Sequence, residues 1–99
     1  MSFFDLVAWI SENRGQIEGC WVDNVYAISG TEGFDLKLRC RDGIKDLVLE
    51  PGKYVVIAKV SRPLVTDSKA QQIRTLVRDK AIKSIETLGN ERIVKIALN

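Results

Sequence analysis

The residues best suited to binding chemistry are cations, and they are concentrated in one stretch of the chain. Residues 59–83 hold seven basic and two acidic side chains, a net charge of +5, whereas the other residues sum to −3. The basic ones are Lys59, Arg62, Lys69, Arg74, Arg78, Lys80 and Lys83. The i, i+4 spacing of Arg74 and Arg78 suits one side of a helix, where forked guanidinium donors can grip phosphates. A solvated helix face explains the same pattern and is the commoner case.

Three other groups could take part in binding. Asp5 stands three residues after Ser2, and its simplest interpretation is the acid of a helix capping box. Glu91 and Arg92 are adjacent in a polar turn between two apolar runs, where a surface ion pair is ordinary. Aromatic rings can stack on nucleobases, although in so small a domain they more often fill the core. The candidates of this kind are Trp9, Trp21, Tyr26 and Tyr54.

Composition excludes several classes of active site. The chain has no histidine, which removes histidine bases, serine and cysteine nucleophiles activated by histidine, and histidine-containing metal sites. Cys20 and Cys40 cannot hold zinc alone. They are best interpreted as buried thiols of a reducing compartment, and a single disulfide between them stays open. With no cluster of metal ligands and no paired carboxylates, we expect no enzyme activity, metal or cofactor.

The elements that must position these residues follow from the apolar periodicity. It predicts a helix over residues 2–14 that ends at Gly15, and strands over 20–28, 34–40, 44–50 and 54–58. Thr66 or Asp67 would cap a second helix, and strands over 80–88 and 92–98 complete the chain. The order α-ββββ-α-ββ indicates an α+β domain with antiparallel strands.

The 99 residues suffice for one domain over residues 1–99. No apolar run reaches the roughly 18 residues of a membrane span and no signal peptide is evident, so we expect a cytoplasmic protein with no membrane partner. A last strand that runs to Asn99 would be a sheet edge, would pair with a second copy as a homodimer, or would mark a fragment of a longer protein.

An ordered set of segments resembles a known family. Residues 19–26 read GCWVDNVY, 34–38 FDLKL, 49–55 LEPGKYV, 61–63 SRP and 88–94 LGNERIV. Together with the opening helix and the basic residues 74 and 78, this order resembles the N-terminal domain of NFACT proteins. These are ribosome-associated quality-control factors, often labelled fibronectin-binding-protein-like. The resemblance covers nearly the whole chain.

The resemblance implies a fold and a function. The fold would be a β-sandwich-like domain with two helices, similar to the N domain of formamidopyrimidine-type DNA glycosylases, and it would be incomplete at its C-terminal end. The function would be tRNA binding in translation, on stalled large ribosomal subunits that carry a nascent chain. By position, Asp5, Glu91 and Arg92 match the family residues needed for tRNA-dependent tailing. Backbone contacts to RNA would come from Arg62, Arg74, Arg78 and Lys80.

The sequence also departs from the patterns that it resembles. Glu91 stands where the family has an aspartate, and Thr75 and Leu76 stand where many members have lysine and histidine. Met1, Ser2 and Phe3 replace the proline and glutamate with which the glycosylases begin, so glycosylase chemistry has no agent here. The alternative function is a protein-interaction or scaffold module without RNA specificity.

Overall fold

Two helices and seven strands follow one another along the part of the chain that the structure describes. A computed structural model defines residues 2–50, 54–57, 60, 62–89 and 93–99. The elements are α1 (Phe3–Ile17), β1 (Trp21–Ile28), β2 (Phe34–Cys40), β3 (Gly43–Glu50), β4 (Tyr54–Ile57), β5 (Leu64–Val65), α2 (Ser68–Val77), β6 (Ile82–Thr87) and β7 (Val94–Leu98). The predicted α+β class and element order are confirmed, and the two-residue strand β5 is added between β4 and α2.

Helix α1 is longer than its sequence pattern predicts. Gly15 does not end it: the helix continues to Ile17, which is fully buried in the core. Gly15 has open space around the position of a Cβ atom and stays in the helix, so no steric demand of the fold requires a glycine there. The chain leaves the helix instead at Gly19, whose φ of +91° is the left-handed conformation that favours glycine. The expected stop at Gly15 is therefore wrong by one helical turn.

The strands form two antiparallel sheets. The larger sheet has the order β4-β3-β2-β1-β5, and β6 and β7 form the smaller one. In the larger sheet Val25 lies opposite Leu36, and Leu36 lies opposite Leu47, so these buried side chains share one face. A bulge between Val22 and Asn24 shifts the pairing of β1 with β2. That bulge keeps apolar side chains facing inward on both of its sides.

The core lies between the inner face of the large sheet and the elements packed on it. Helix α1 contributes Leu6, Ile10 and Ile17, and β6 contributes Ile82 and Ile85. The two sheets line a partly open apolar pocket of about 200 Å³. Its walls come from both sheets and α2 and are formed by Val22, Val25, Phe34, Leu36, Leu49, Ile73, Val77, Ile82, Ile96 and Leu98.

The start of β1 is bound on both sides. The amide of Val22 donates to the carbonyl of Lys80 at 2.9 Å, and the amide of Ile82 donates to the carbonyl of Cys20 at 2.8 Å. Residues 79–82 thus bond to the start of β1 before the chain pairs with β7. This pairing explains why β6 begins at Ile82 rather than at residue 80. Among the described residues, β7 pairs with β6 alone. None of the described helices has the length and hydropathy that crossing a bilayer requires.

Cys20 and Cys40 are joined by a disulfide, with their Cα atoms 4.5 Å apart. Trp21 lies opposite Arg39 in the β1–β2 register, which places the two cysteines directly opposite one another at the adjacent position. The interpretation as two reduced thiols is therefore corrected in favour of the disulfide that the sequence left open. The bond ties the start of β1 to the end of β2.

Candidate nucleic-acid interface

Asp5 has a structural role at the first turn of α1. The Ser2 hydroxyl accepts a hydrogen bond from the Asp5 amide, and the Asp5 carboxylate accepts one from the Ser2 amide, both at 3.1 Å. This backbone bond and the Ser2 hydroxyl lower the pKa of Asp5. The side chain is exposed at the end of the helix. The capping-box interpretation is therefore confirmed, and the exposed carboxylate also remains accessible to a ligand.

Arg62 lies at the end of β1, near the β1–β2 turn. Its Nη1 atom is 2.9 Å from the position that a Cβ atom would take at Gly30, a residue with a φ of +79°. The neighbouring Pro63 carbonyl accepts a hydrogen bond from the Ser29 amide at 2.9 Å. The glycine therefore leaves the space that the guanidinium group occupies.

The other three predicted cations follow one another at the end of α2. Asp67 caps this helix through a 2.8 Å bond from the Ala70 amide to its carboxylate. Arg74 lies in the last turn of α2, and Arg78 is the residue at which the helix ends. Asp79, with a φ of 64°, turns the chain, and its amide donates to the carbonyl of Val22. Arg78 and Lys80 are thereby placed beside the start of β1.

These cations form a line rather than a cluster. Arg62 is next to the last residues of β1 and Lys80 next to the first, and the seven steps of that strand span about 23 Å. Helix α2, which carries Arg74, also contacts β1. We call Arg62, Arg74, Arg78 and Lys80 the basic line. Its length is that of several successive nucleotides rather than of a single phosphate.

The basic line is not neutralised by neighbouring acids. The four salt bridges among the described residues are Arg14–Glu18, Lys37–Asp46, Arg39–Asp23 and Lys45–Asp42, and none includes a member of the line. The stretch has two acids of its own. Asp67 is occupied as a cap, whereas the exposed Asp79 stands between Arg78 and Lys80 and forms no salt bridge among the described residues, so four cations face one unpaired carboxylate. The positive charge of the line is therefore available to an anionic ligand.

Asp5 lies at one end of a second region, formed by α1 and β6. The Arg14 guanidinium donates to the carbonyl of Ile85, and the Ile85 amide donates to the Glu18 carboxylate, both at 3.2 Å. A cleft of about 350 Å³ separates the two elements further along, with Val7 and Thr87 among its walls. The first turn of α1 thus lies toward the end of β6.

The expected trio of Asp5, Glu91 and Arg92 is only partly described. Glu91 and Arg92, like the basic residue Lys59, lie outside the described residues. From Asp5 to Ile17, α1 extends about 18 Å. Arg78 and Lys80 lie beside the start of β1, which follows the C-terminal end of α1. Asp5 is therefore separated from Arg78 and Lys80 by nearly the length of the helix.

The aromatic residues divide between core and surface. Trp9 packs against the core, and the Tyr26 hydroxyl accepts a 2.9 Å hydrogen bond from the Asn24 side chain. The side chain of Tyr54 lies outside the described part. Trp21 is 46% exposed, so the prediction that these rings fill the core is wrong for this residue. Trp21 begins β1 on the face turned away from the core.

Two carboxyl groups on that same outer face escaped the sequence analysis. Asp35 is fully buried, and both of its carboxyl oxygens lack a hydrogen-bond partner among the described residues. Burial raises the pKa of Asp35 to about 7, and the nearby Asp46 carboxyl adds to the effect. Lys37 Nζ lies 3.7 Å from Asp46 Oδ1. The strict alternation along β2 indicates only that Asp35 faces away from the core. It does not indicate that the Asp35 side chain is buried.

The described residues contain no group of three histidine, cysteine, aspartate or glutamate side chains able to hold a metal ion.

Comparison with known proteins shows what the fold is similar to. No family model matches the chain, and no curated protein matches its sequence. Among solved structures, the chain is similar to the N-terminal domain of the fibronectin-binding protein PavA from Streptococcus pneumoniae, with a TM-score of 0.83 and 19% identity. The match covers 97% of this chain and 38% of that one, so this chain spans well under half of the PavA structure. The chain thus has the fold of a fibronectin-binding-protein N-terminal domain.

Proposed function

We propose that this chain is an RNA-binding module, specifically for tRNA, of a cytoplasmic ribosome-associated quality-control factor of the NFACT type. The observation that carries the proposal is the basic line of four cations without an acidic partner along β1 and α2. The fold shared with a fibronectin-binding-protein N-terminal domain and the ordered motifs that resemble NFACT proteins support the narrower assignment. The stalled large ribosomal subunit would be the second partner.

In this proposal the two regions have different tasks. The basic line contacts successive phosphates of the RNA backbone and supplies affinity by releasing counterions. Arg92 contacts the tRNA, and Asp5 and Glu91 orient that arginine or contact the charged end of the tRNA. No side chain of the protein forms or breaks a bond, and ribosomal RNA would perform any peptide chemistry. The module therefore binds and positions and is not an enzyme.

A salt titration of binding to charged tRNA tests the basic line. Because each phosphate contact releases about 0.7–0.9 of a counterion, replacing both Arg74 and Arg78 with alanine should reduce the slope of log K against log salt by about 1.5. Binding at low salt should weaken roughly tenfold or more. Lys95→Ala, which removes an exposed cation on β7, is the matched control and should change the slope by less than either arginine. An unchanged slope in the double variant would contradict the proposal.

The same titration with Arg92→Ala tests specificity. Charged tRNA, uncharged tRNA and duplex DNA are compared. Loss of a tRNA preference, with at most about 1 kcal/mol lost from the free energy of unfolding, would support a recognition site at Asp5, Glu91 and Arg92. A large loss of stability would instead indicate a structural ion pair.

The alternative is a protein-interaction module, and exposed apolar side chains favour it. Phe4, in the first turn of α1, is 81% exposed, and Leu88, which directly follows β6, is 53% exposed. A second copy that pairs along β7 is one partner of this kind. This alternative requires binding that is insensitive to salt and shows no preference for tRNA.

A further inference from the structure

Trp21 is a large aromatic side chain that the core does not use. It is the first residue of β1 and is 46% exposed. It lies opposite Arg39 of β2 on one side and opposite Ala81 on the other. Neighbours on both strands hold its backbone, so the position of the ring is set by a rigid part of the fold rather than by a loop.

Exposed cations occur in the chain segments that flank Trp21 on both sides. Arg41 directly follows Cys40, whose disulfide partner Cys20 directly precedes Trp21. On the other side, the Lys80 carbonyl accepts a hydrogen bond from the amide of Val22, and Arg78 is two residues away. We call Trp21, Arg41, Arg78 and Lys80 the Trp21 surface. None of its three cations forms a salt bridge with an acid of the described chain.

The acids near the Trp21 surface are outnumbered by its cations. Asp23 lies two residues along β1, and its carboxylate accepts a hydrogen bond from the Arg39 guanidinium at 3.2 Å. Asp42, next to Arg41, pairs with Lys45. Asp79 stands between Arg78 and Lys80 and forms no salt bridge among the described residues, which leaves three cations against this one carboxylate. A flat aromatic face beside free cations suits a ligand that has both a planar ring and an anionic backbone.

We propose that Trp21 stacks on an unpaired nucleobase while Arg41, Arg78 and Lys80 contact the flanking phosphates. The inference rests on the proposed RNA-binding function and narrows its ligand to a single-stranded segment, such as a loop or an end. A duplex offers phosphates but no free base face, so it engages the cations alone. The Trp21 surface would thus add a preference for unpaired nucleotides to the phosphate binding of the basic line.

Tryptophan fluorescence of the 99-residue chain gives a direct test. Trp9→Phe leaves Trp21 as the single indole of the chain. The probes are a ten-nucleotide oligouridylate and a fully paired RNA duplex of equal charge, with charged tRNA measured in parallel. We expect the oligouridylate to quench Trp21 emission, and the duplex to quench it much less. In the wild-type chain, Trp21→Ala should weaken oligouridylate binding about 5- to 160-fold, the equivalent of roughly 1–3 kcal/mol for one stacked base.

Two further variants separate the contributions. Trp21→Phe keeps an aromatic face and should retain most of the affinity, whereas Arg78→Ala should weaken single strand and duplex alike. Tight tRNA binding that Trp21→Ala leaves unchanged would overturn this inference and leave the proposed function standing. Absence of tRNA and oligouridylate binding in the folded wild-type chain would overturn both. Quenching by single strand and duplex to the same extent would also overturn the stacking role.

Discussion

Asp35 is an ionisable residue in surroundings that oppose its charge. It is fully buried on the outer face of the large sheet, opposite Tyr26 and Val48, and neither carboxyl oxygen has a hydrogen-bond partner among the described residues. Removal from water penalises the ionised form, so its pKa rises from 3.8 to about 7. Lys37 opposes this rise but does not cancel it.

A raised carboxyl pKa makes stability depend on pH in a defined direction. Between about pH 4 and pH 7 the folded state binds a proton that the unfolded state has lost, so the free energy of unfolding should fall as the pH rises through this range. Asp35→Asn should remove much of this dependence and stabilise the protein by about 1–3 kcal/mol at pH 8. Urea unfolding at pH 5 and pH 8 measures both effects, with the exposed Asp42→Asn as control. An Asp35→Asn variant that is less stable than wild type at pH 8 would contradict the argument.

At the scale of single residues, the sequence predicts the sheet face on which a side chain lies better than it predicts whether that side chain is buried. The FDLKL alternation correctly separates Leu36 from Asp35, because side chains of a strand point to opposite faces. It cannot show that the outer face is covered at Asp35 and open at Trp21, since the covering comes from neighbours in space. Asp5 is the opposite case, because the local spacing of Ser2 and Asp5 predicts the capping box in which the Asp5 carboxylate accepts the Ser2 amide.

Helix ends show how far local signals determine an element. Asp67 precedes α2, and its carboxylate accepts the Ala70 amide, as the sequence indicated in offering Thr66 or Asp67 as the cap. Gly15 and Gly19 both suit a helix end, and the choice between them depends on Ile17, which must enter the core. Whether Cys20 and Cys40 form a disulfide likewise depends on strand register, because their spacing in the sequence does not show whether they lie opposite one another.

The cap of α2 gives a prediction about the element that holds two cations of the basic line. Asp67→Ala should lower the free energy of unfolding by about 1 kcal/mol, since an amide of the first turn loses its acceptor. Asp67→Ser retains an acceptor and should remain close to wild type. Thermal melts followed by circular dichroism measure the difference. A full loss of tRNA binding in a folded Asp67→Ala chain would show that α2 needs its cap for function as well as for stability.

For the molecule as a whole, charge and fold carry different information. The net charge is +2, yet residues 59–83 hold +5 and the remainder −3. This uneven distribution should steer approaching anions toward residues 59–83. The fold matches a solved domain over 97% of the chain at 19% identity. The backbone fold is therefore shared where most individual residues differ. The order of helices and strands could be predicted from the sequence. The distance between Asp5 and the basic line could not, because it depends on how the elements pack in the folded structure.

The apolar pocket between the two sheets has a consequence for mechanical compression. Its apolar walls, which include Val25 and Ile96, give water few groups to bind, so the part of its roughly 200 Å³ that is closed to solvent should stay poorly filled. Unfolding eliminates such volume, so hydrostatic pressure should destabilise this protein, with a volume decrease within the usual range of about 20–100 mL/mol. Val25→Ile places an extra methyl group at the pocket wall and should make that decrease smaller, which high-pressure fluorescence of the core indole would detect. A volume change unaffected by the larger side chain would mean that solvent already fills the space.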